Sequence, residues 1–152
     1  MDPRDDLLKL ENQLCFAMVT AARNVVAIYR PVLEPLGLTH PQYLVMLALW
    51  ERAPRALGEL ASELAMEAAT LSPLVKRLEA QGLVTRSRSS ADERVLQIGL
   101  TAVGRDLRAA ALRVPEQIMA QVGMDAAALA DLRDALAPFA GRRLGADPGA
   151  DR

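Results

Sequence analysis

The sequence is poor in the residues that usually carry chemistry: one cysteine, one histidine, one tryptophan, two tyrosines and two phenylalanines in 152 residues. A single cysteine excludes an internal disulfide, and a single histidine with no ligand cluster beside it argues against a metal centre. Aromatic content of 3%, set in a chain that is 51% hydrophobic and rich in Ala and Leu, favours helices packed on helices over a β-sandwich. No apolar run approaches the ~18 residues of a membrane span. The first residues, MDPRDDLL, are acidic and polar, unlike a signal or transit peptide. A cytoplasmic protein is the expectation. Positive charge is not in excess either, with net charge −1, so any binding of nucleic acid has to come from local charge.

What is present is helical periodicity. Between residues 6 and 30 one seam runs Leu7, Leu10, Leu14, Met18, Ala21, Val25 and Ile28, and a second runs Cys15, Val19, Ala22, Val26 and Tyr29. Two apolar faces describe a helix buried from both sides, the second side by a partner subunit. Pro31 and Gly37 bracket a short helix. Thr39 and Gln42 have capping-box spacing ahead of PQYLVMLALWER, an all-round apolar helix with Met46 and Trp50 in the core. Two shorter helices are expected at about 57–64 and 69–81, stopped by Gly82.

The period then changes. LVTRSR (83–88) and RVLQIGL (94–100) read as two strands joined by SSADE. Thr101 caps a long helix interrupted by Pro115, a further helix runs from about 125 to 140, and GADPGADR has the composition of a disordered end. The fold class that follows is mainly α: a winged helix–turn–helix with a two-stranded β wing, flanked by N- and C-terminal helices forming a dimerisation region. Its parts are 1–35 (dimerisation helix), 36–101 (DNA-binding domain), 102–142 (dimerisation helices) and 143–152 (disordered tail).

A helix–turn–helix puts its second helix in the major groove. Here that helix carries Leu71, Leu74, Val75 and Leu78 on one face, and Thr70, Ser72, Lys76 and Arg77 on the other. Small hydroxyls and cations reach base edges and phosphates without steric trouble. The hairpin adds Arg86, Arg88 and Arg94 as DNA contacts, an arginine at its tip being long enough for a minor groove. Asp92, two residues before Arg94, is expected to orient it.

These words resemble the MarR-type winged-helix regulators over about residues 7–140. LENQLCFA, YRPVLEPLGLTHPQYLVMLALWE, TLSPLVKRLEAQGLVTRSRS and DERVLQIGLT resemble, within that family, the organic-hydroperoxide-sensing OhrR group. The resemblance implies a homodimeric repressor on an inverted-repeat, pseudo-palindromic operator, with no enzymatic activity and no cofactor. It implies that Cys15 is the peroxidatic thiol, oxidised to a sulfenic acid by organic hydroperoxide and, without a second cysteine, capped by a low-molecular-weight thiol. Tyrosines of the partner subunit typically support that thiolate. Tyr29 matches one of them, while Val19 and His40 stand where others are expected. Glu67, Ala68 and Ala69 replace the family's Asp, Ser and Gly at the entry to the recognition helix.

Alternatives stay open at this point. His40 is a donor to the thiolate, an exposed first-turn residue, or part of a ligand pocket. Cys15 is the sensor or an inert small hydrophobe. A repressor relieved by a small aromatic or phenolic ligand near Tyr29, His40, Tyr43 and Trp50 is the main competitor. A thiol peroxidase using Cys15 and His40 lacks any Gly-rich turn or supporting arginine. A helical module without a DNA role leaves the wing arginines unexplained.

Overall fold

The computed structural model describes residues 2–140, so the tail expected at 143–152 lies outside the described residues. Two 3-10 turns, Pro3–Leu8 and Leu10–Asn12, precede helix α1 (Leu14–Leu33). The helix predicted from residue 6 thus starts later, and side chains are the reason. Asn12 Nδ2 donates to the Asp6 carbonyl, and Gln13 Nε2 donates to the carbonyls of Leu7 and Lys9. Carbonyls that a continuous helix would offer to amides are taken by side chains instead.

At its other end α1 runs through Pro31, which was expected to open a separate helix. Pro31 gives no N–H to the preceding turn, but Leu33 beyond it is wholly buried and holds the last turn in place. A single 3-10 turn, Glu34–Leu36, and Gly37 at φ 70° redirect the chain.

Helix α2 (His40–Glu51) begins with the expected box: Gln42 N donates to Thr39 Oγ1 (3.3 Å) and Thr39 N to Gln42 Oε1 (3.0 Å). Tyr43, Val45, Met46, Ala48 and Leu49 are buried. Met46 lies in the core as expected, whereas Trp50 is only partly covered and donates its indole N–H to the Gly104 carbonyl at 2.8 Å. Strand β1 (Arg55–Ala56) leads to α3 (Leu57–Glu63) and α4 (Ala68–Ala80). Gln81 joins the ends of two helices by accepting from Gln42 Nε2 (3.3 Å) and donating to the Gly37 carbonyl (2.9 Å).

Strands β2 (Val84–Arg88) and β3 (Leu96–Leu100) form the antiparallel hairpin. The sheet has three strands rather than two, in the order β1-β3-β2, with Arg55 of β1 and Arg86 of β2 both paired in register with the wholly buried Ile98. Arg55 is itself buried, and its guanidinium is ion-paired to Glu63 of α3. Helices α5 (Ala102–Ala111), α6 (Val114–Val122) and α7 (Ala126–Leu136) follow. Pro115 opens α6 rather than kinking one long helix, as suits a residue without an N–H.

The core gathers Leu33, Met46, Leu49, Leu60, Leu71 and Leu78, with Val114 and Ile118 of α6 closing it. Each such side chain contributes roughly 1.5–3 kcal/mol by leaving water. No helix among the described residues is long and apolar enough to cross a membrane.

One close approach ties this core to α5. Gly104 N donates to Thr101 Oγ1 (2.9 Å), the Thr101 hydroxyl donates to the Gly82 carbonyl (2.6 Å), and a Cβ on Gly104 would land on the Leu83 carbonyl. Gly104→Ala is therefore expected to lower stability by about 3 kcal/mol, at the upper end for overpacking because backbone is what it meets. A urea unfolding midpoint measures this.

Candidate functional site

Helix α4 turns Leu71, Val75 and Leu78 into the core, which leaves Thr70, Lys76 and Arg77 exposed and Ser72 half-buried on the opposite side. Its N-cap, Glu67, makes no side-chain capping bond, and Ala68 and Ala69 form an exposed first turn with no side-chain polar group. At the hairpin tip Asp92 holds Arg94 by three bonds. Oδ1 accepts from the Arg94 backbone N–H (3.0 Å) and Nε (3.1 Å), and Oδ2 accepts from Nη2 (3.2 Å). The Arg94 side-chain bonds, then its backbone N–H, keep the Asp92 carboxyl below its ordinary range. Arg94 is nonetheless 91% exposed, and Arg88 is exposed too. Asp92 thus has the geometry of an orienting partner.

Arg86 departs from its expected place. Its side chain is only 27% exposed, Nη2 lies 3.1 Å from Glu79 Oε1 on α4, and Nε is buried without a partner. The guanidinium thus lies against the recognition helix, unlike the exposed side chains of Arg88 and Arg94. Glu79 was legible only as an acid among cations. A part-buried pair joined by one hydrogen bond contributes on the order of 1 kcal/mol to stability.

Cys15 is the second residue of α1, two after Gln13, an N-cap that makes no side-chain capping bond. This is the end of a helix whose free N–H groups and dipole favour negative charge. The thiol is exposed, as are Leu14, Phe16 and Val19 near it and Val26 about three turns further along α1. The inert buried thiol therefore does not describe the single chain. Both apolar seams of α1 lie open over most of their length, with Ile28 and Tyr29 half-buried near the C-terminal end and Leu33 the helix's one buried residue.

Tyr29 and His40 do come together. Their rings meet edge-on with centroids 4.9 Å apart, and Tyr43 lies 5.9 Å from Tyr29. Burial lowers the His40 pKa from its ordinary 6.5, which favours the neutral ring, a form with one N–H to donate and one nitrogen to accept. Burial raises Tyr29, and burial followed by the charge of Tyr29 raises Tyr43, so both phenols are kept as donors.

The thiol and this cluster are not brought together within one chain. A helix rises about 1.5 Å per residue, so about 21 Å of α1 separates Cys15 from Tyr29. They are about 40° apart around the axis, on one face. Beside the cluster opens a hollow of about 570 Å³ lined by Val26, Arg30, Glu34, Leu38 and Thr39. A cleft of about 300 Å³ between α2, α5 and α6 is lined by Tyr43, Leu47, Trp50, Arg108 and Pro115. Among the described residues there is no group of three metal-binding side chains.

A helix–turn–helix with a cationic solvent face and a wing held by an Asp–Arg pair defines a winged-helix DNA-binding protein. The model of the family described as transcriptional regulator SarA/Rot matches residues 27–110. The chain is 39% identical over 136 residues to the organic hydroperoxide resistance transcriptional regulator of Bacillus subtilis (strain 168), covering 90% of this chain and 92% of that one. Among solved structures, reduced AbfR bound to DNA is 31% identical with a TM-score of 0.72, over 91% of this chain and 98% of that one. AbfR is a protein of Staphylococcus epidermidis. BpsR of Bordetella bronchiseptica, whose DNA binding is regulated by 6-hydroxynicotinic acid, is 25% identical with a TM-score of 0.79, over 89% and 98%. The protein belongs to the SarA/Rot and MarR-type winged-helix transcriptional regulators, and within them it resembles the OhrR group. It is a DNA-binding regulator, not an enzyme.

The lowered His40 pKa has a consequence for stability. The unfolded chain binds this proton more readily than the folded one. Stability from this source is full above the unfolded value of about 6.5 and is lost as pH falls from there through the folded value. Between pH ~7.5 and ~5 wild type is expected to lose more of its urea midpoint than His40→Asn, which has no imidazole to protonate.

Proposed function

We propose that the protein is a homodimeric repressor of an inverted-repeat operator, released when organic hydroperoxide oxidises Cys15. The observation that carries this is the placement of exposed Cys15 and half-buried Tyr29 on one side of α1, with His40 against Tyr29, too far apart to meet in one chain. A two-fold axis repeats the same patch on both subunits. Crossing two α1 helices on this face brings each thiol to the partner's cluster and covers the exposed apolar side chains.

In that arrangement the Cys15 thiolate attacks the distal oxygen of R–OOH. The O–O bond breaks, sulfenic acid forms on Cys15, and the alkoxide takes a proton and leaves as ROH. A small thiol RSH then displaces water from the sulfenic acid to give a mixed disulfide, the thiol proton leaving with the hydroxyl. Tyr29 and neutral His40 donate hydrogen bonds to the thiolate, and Val19 contributes none. The bulk added to a packed dimer face shifts α1 and, through α2 and α5, the spacing of the two α4 helices. About 1–3 kcal/mol of coupling suffices for such a release.

On the DNA side, Thr70, Ser72, Lys76 and Arg77 meet the major groove, and Arg88 and Arg94 reach the flanking minor groove. Lys76→Ala is expected to weaken operator binding and reduce the log-affinity against log-salt slope by about 1, as loss of one phosphate contact does. Fluorescence anisotropy at several salt concentrations checks this.

The second reading is relief by a small aromatic or phenolic ligand, favoured by the cleft at Tyr43, Trp50 and Arg108. The two are separated by a gel shift on the DNA upstream of the protein's own gene, with wild type and Cys15→Ser before and after an equivalent of cumene hydroperoxide. Oxidant is expected to release wild type and leave Cys15→Ser bound. If both stay bound, the hydroperoxide reading fails and the cleft becomes the sensor.

A further inference from the structure

Arg86 stands where the hairpin leaves the body of the domain. Residues of β2 alternate between its two faces, so Val84, Arg86 and Arg88 share one face, and they pass from buried through half-buried to exposed. Among the described residues, Arg86 is the outermost side chain of β2 hydrogen-bonded to the body, and its partner is Glu79, one turn beyond Lys76 on α4. The bond thus joins the helix expected in the major groove to the hairpin expected at the minor groove.

Stability does not account for it. One part-buried bond adds on the order of 1 kcal/mol, and Arg86 Nε, buried with no protein partner, offsets part of that. A bond with so small a net contribution to stability, placed at the root of the wing, points to geometry.

We infer that the Glu79–Arg86 pair sets the angle of the wing against α4, so that Arg88 and Arg94 reach the minor groove while α4 lies in the major groove. Arg86 and Glu79 are positioning residues in operator binding and touch no DNA. Charge alone makes the opposite forecast. Glu79 is an acid beside a polyanion, so removing its charge should tighten binding if it had no positioning role.

This rests on α4 and the wing engaging one operator together. Wild-type hydroxyl-radical and methylation protection of both grooves tests that, while the ratio of variant to wild type tests the pair. Full-length Glu79→Gln is expected to bind the operator about tenfold more weakly, the scale of one lost arginine contact to DNA. It should lose the flanking minor-groove protection and keep the major-groove protection. In an Arg94→Ala background the same substitution is expected to cost less than about twofold, because coupled residues are not additive. Urea midpoints should stay at the wild-type value. Should Glu79→Gln be unstable, Arg86→Lys, which keeps the charge and loses the planar fork, carries the same expectation. Unchanged or tighter binding by Glu79→Gln, or losses that multiply with Arg94→Ala, overturn the proposal. So does an Arg86→Met variant whose salt slope falls by about 1, the mark of a direct phosphate contact.

Discussion

The structure depends on how closely the first turn of α5 can lie against the corner between α4 and β2. At Gly104 the separation is so small that a single methyl group would meet the Leu83 carbonyl. The same residue accepts the Trp50 indole N–H, and its own amide goes to the Thr101 hydroxyl, which in turn donates to Gly82. Three parts of the molecule therefore share one point: the core helix α2, the corner that ends the recognition helix, and the helix that leaves for the flanking region. None of them can shift far without moving the others, because a packed corner has discrete arrangements rather than a continuous range.

Apolar burial and polar bonds divide the labour between them. Leu33, Met46, Leu71 and Leu78, with the rest of the buried apolar core, stabilise the fold, but such contact is non-directional. Direction comes from bonds worth about 0.5–1.5 kcal/mol each: Gln42 to Gln81 to Gly37 across the ends of α2 and α4, and Arg55 to Glu63 between β1 and α3. The buried Arg55 also leaves its Nε without a partner, so here too orientation is held at some cost in stability.

Much of this was legible in the sequence because it is written in local spacing. Thr39–Gln42 and Thr101 cap helices where the residues say they should. The alternation in α4 and the two hairpin strands are where their periods put them. What escaped has a common cause, in that the deciding partner is distant or the segment too short. Side chains of Asn12 and Gln13 reach back to stop α1 from starting early. Two residues of β1 show no period. Pro31 reads as a boundary until Leu33 is seen to be buried. Arg86 looks like its neighbours Arg88 and Arg94 until Glu79 is placed beside it. Cys15 and Tyr29 do lie on one helical stripe, as their spacing says, but the position of Cys15 at a helix start was not legible, because the periodicity puts that start near residue 6.

That separation has a genetic consequence. In the crossed dimer proposed above, each site would combine one subunit's Cys15 with the other's Tyr29 and His40, so damage to the two halves would not add up within a chain. A subunit lacking the thiol still lends an intact cluster, and a subunit lacking the cluster still lends an intact thiol. Paired with each other, two such defective chains rebuild one complete site and leave the other doubly broken. Alleles that are each silent alone would complement one another inside a single molecule, and the unit of inheritance for this sensor would be half of each of two sites rather than the whole of one.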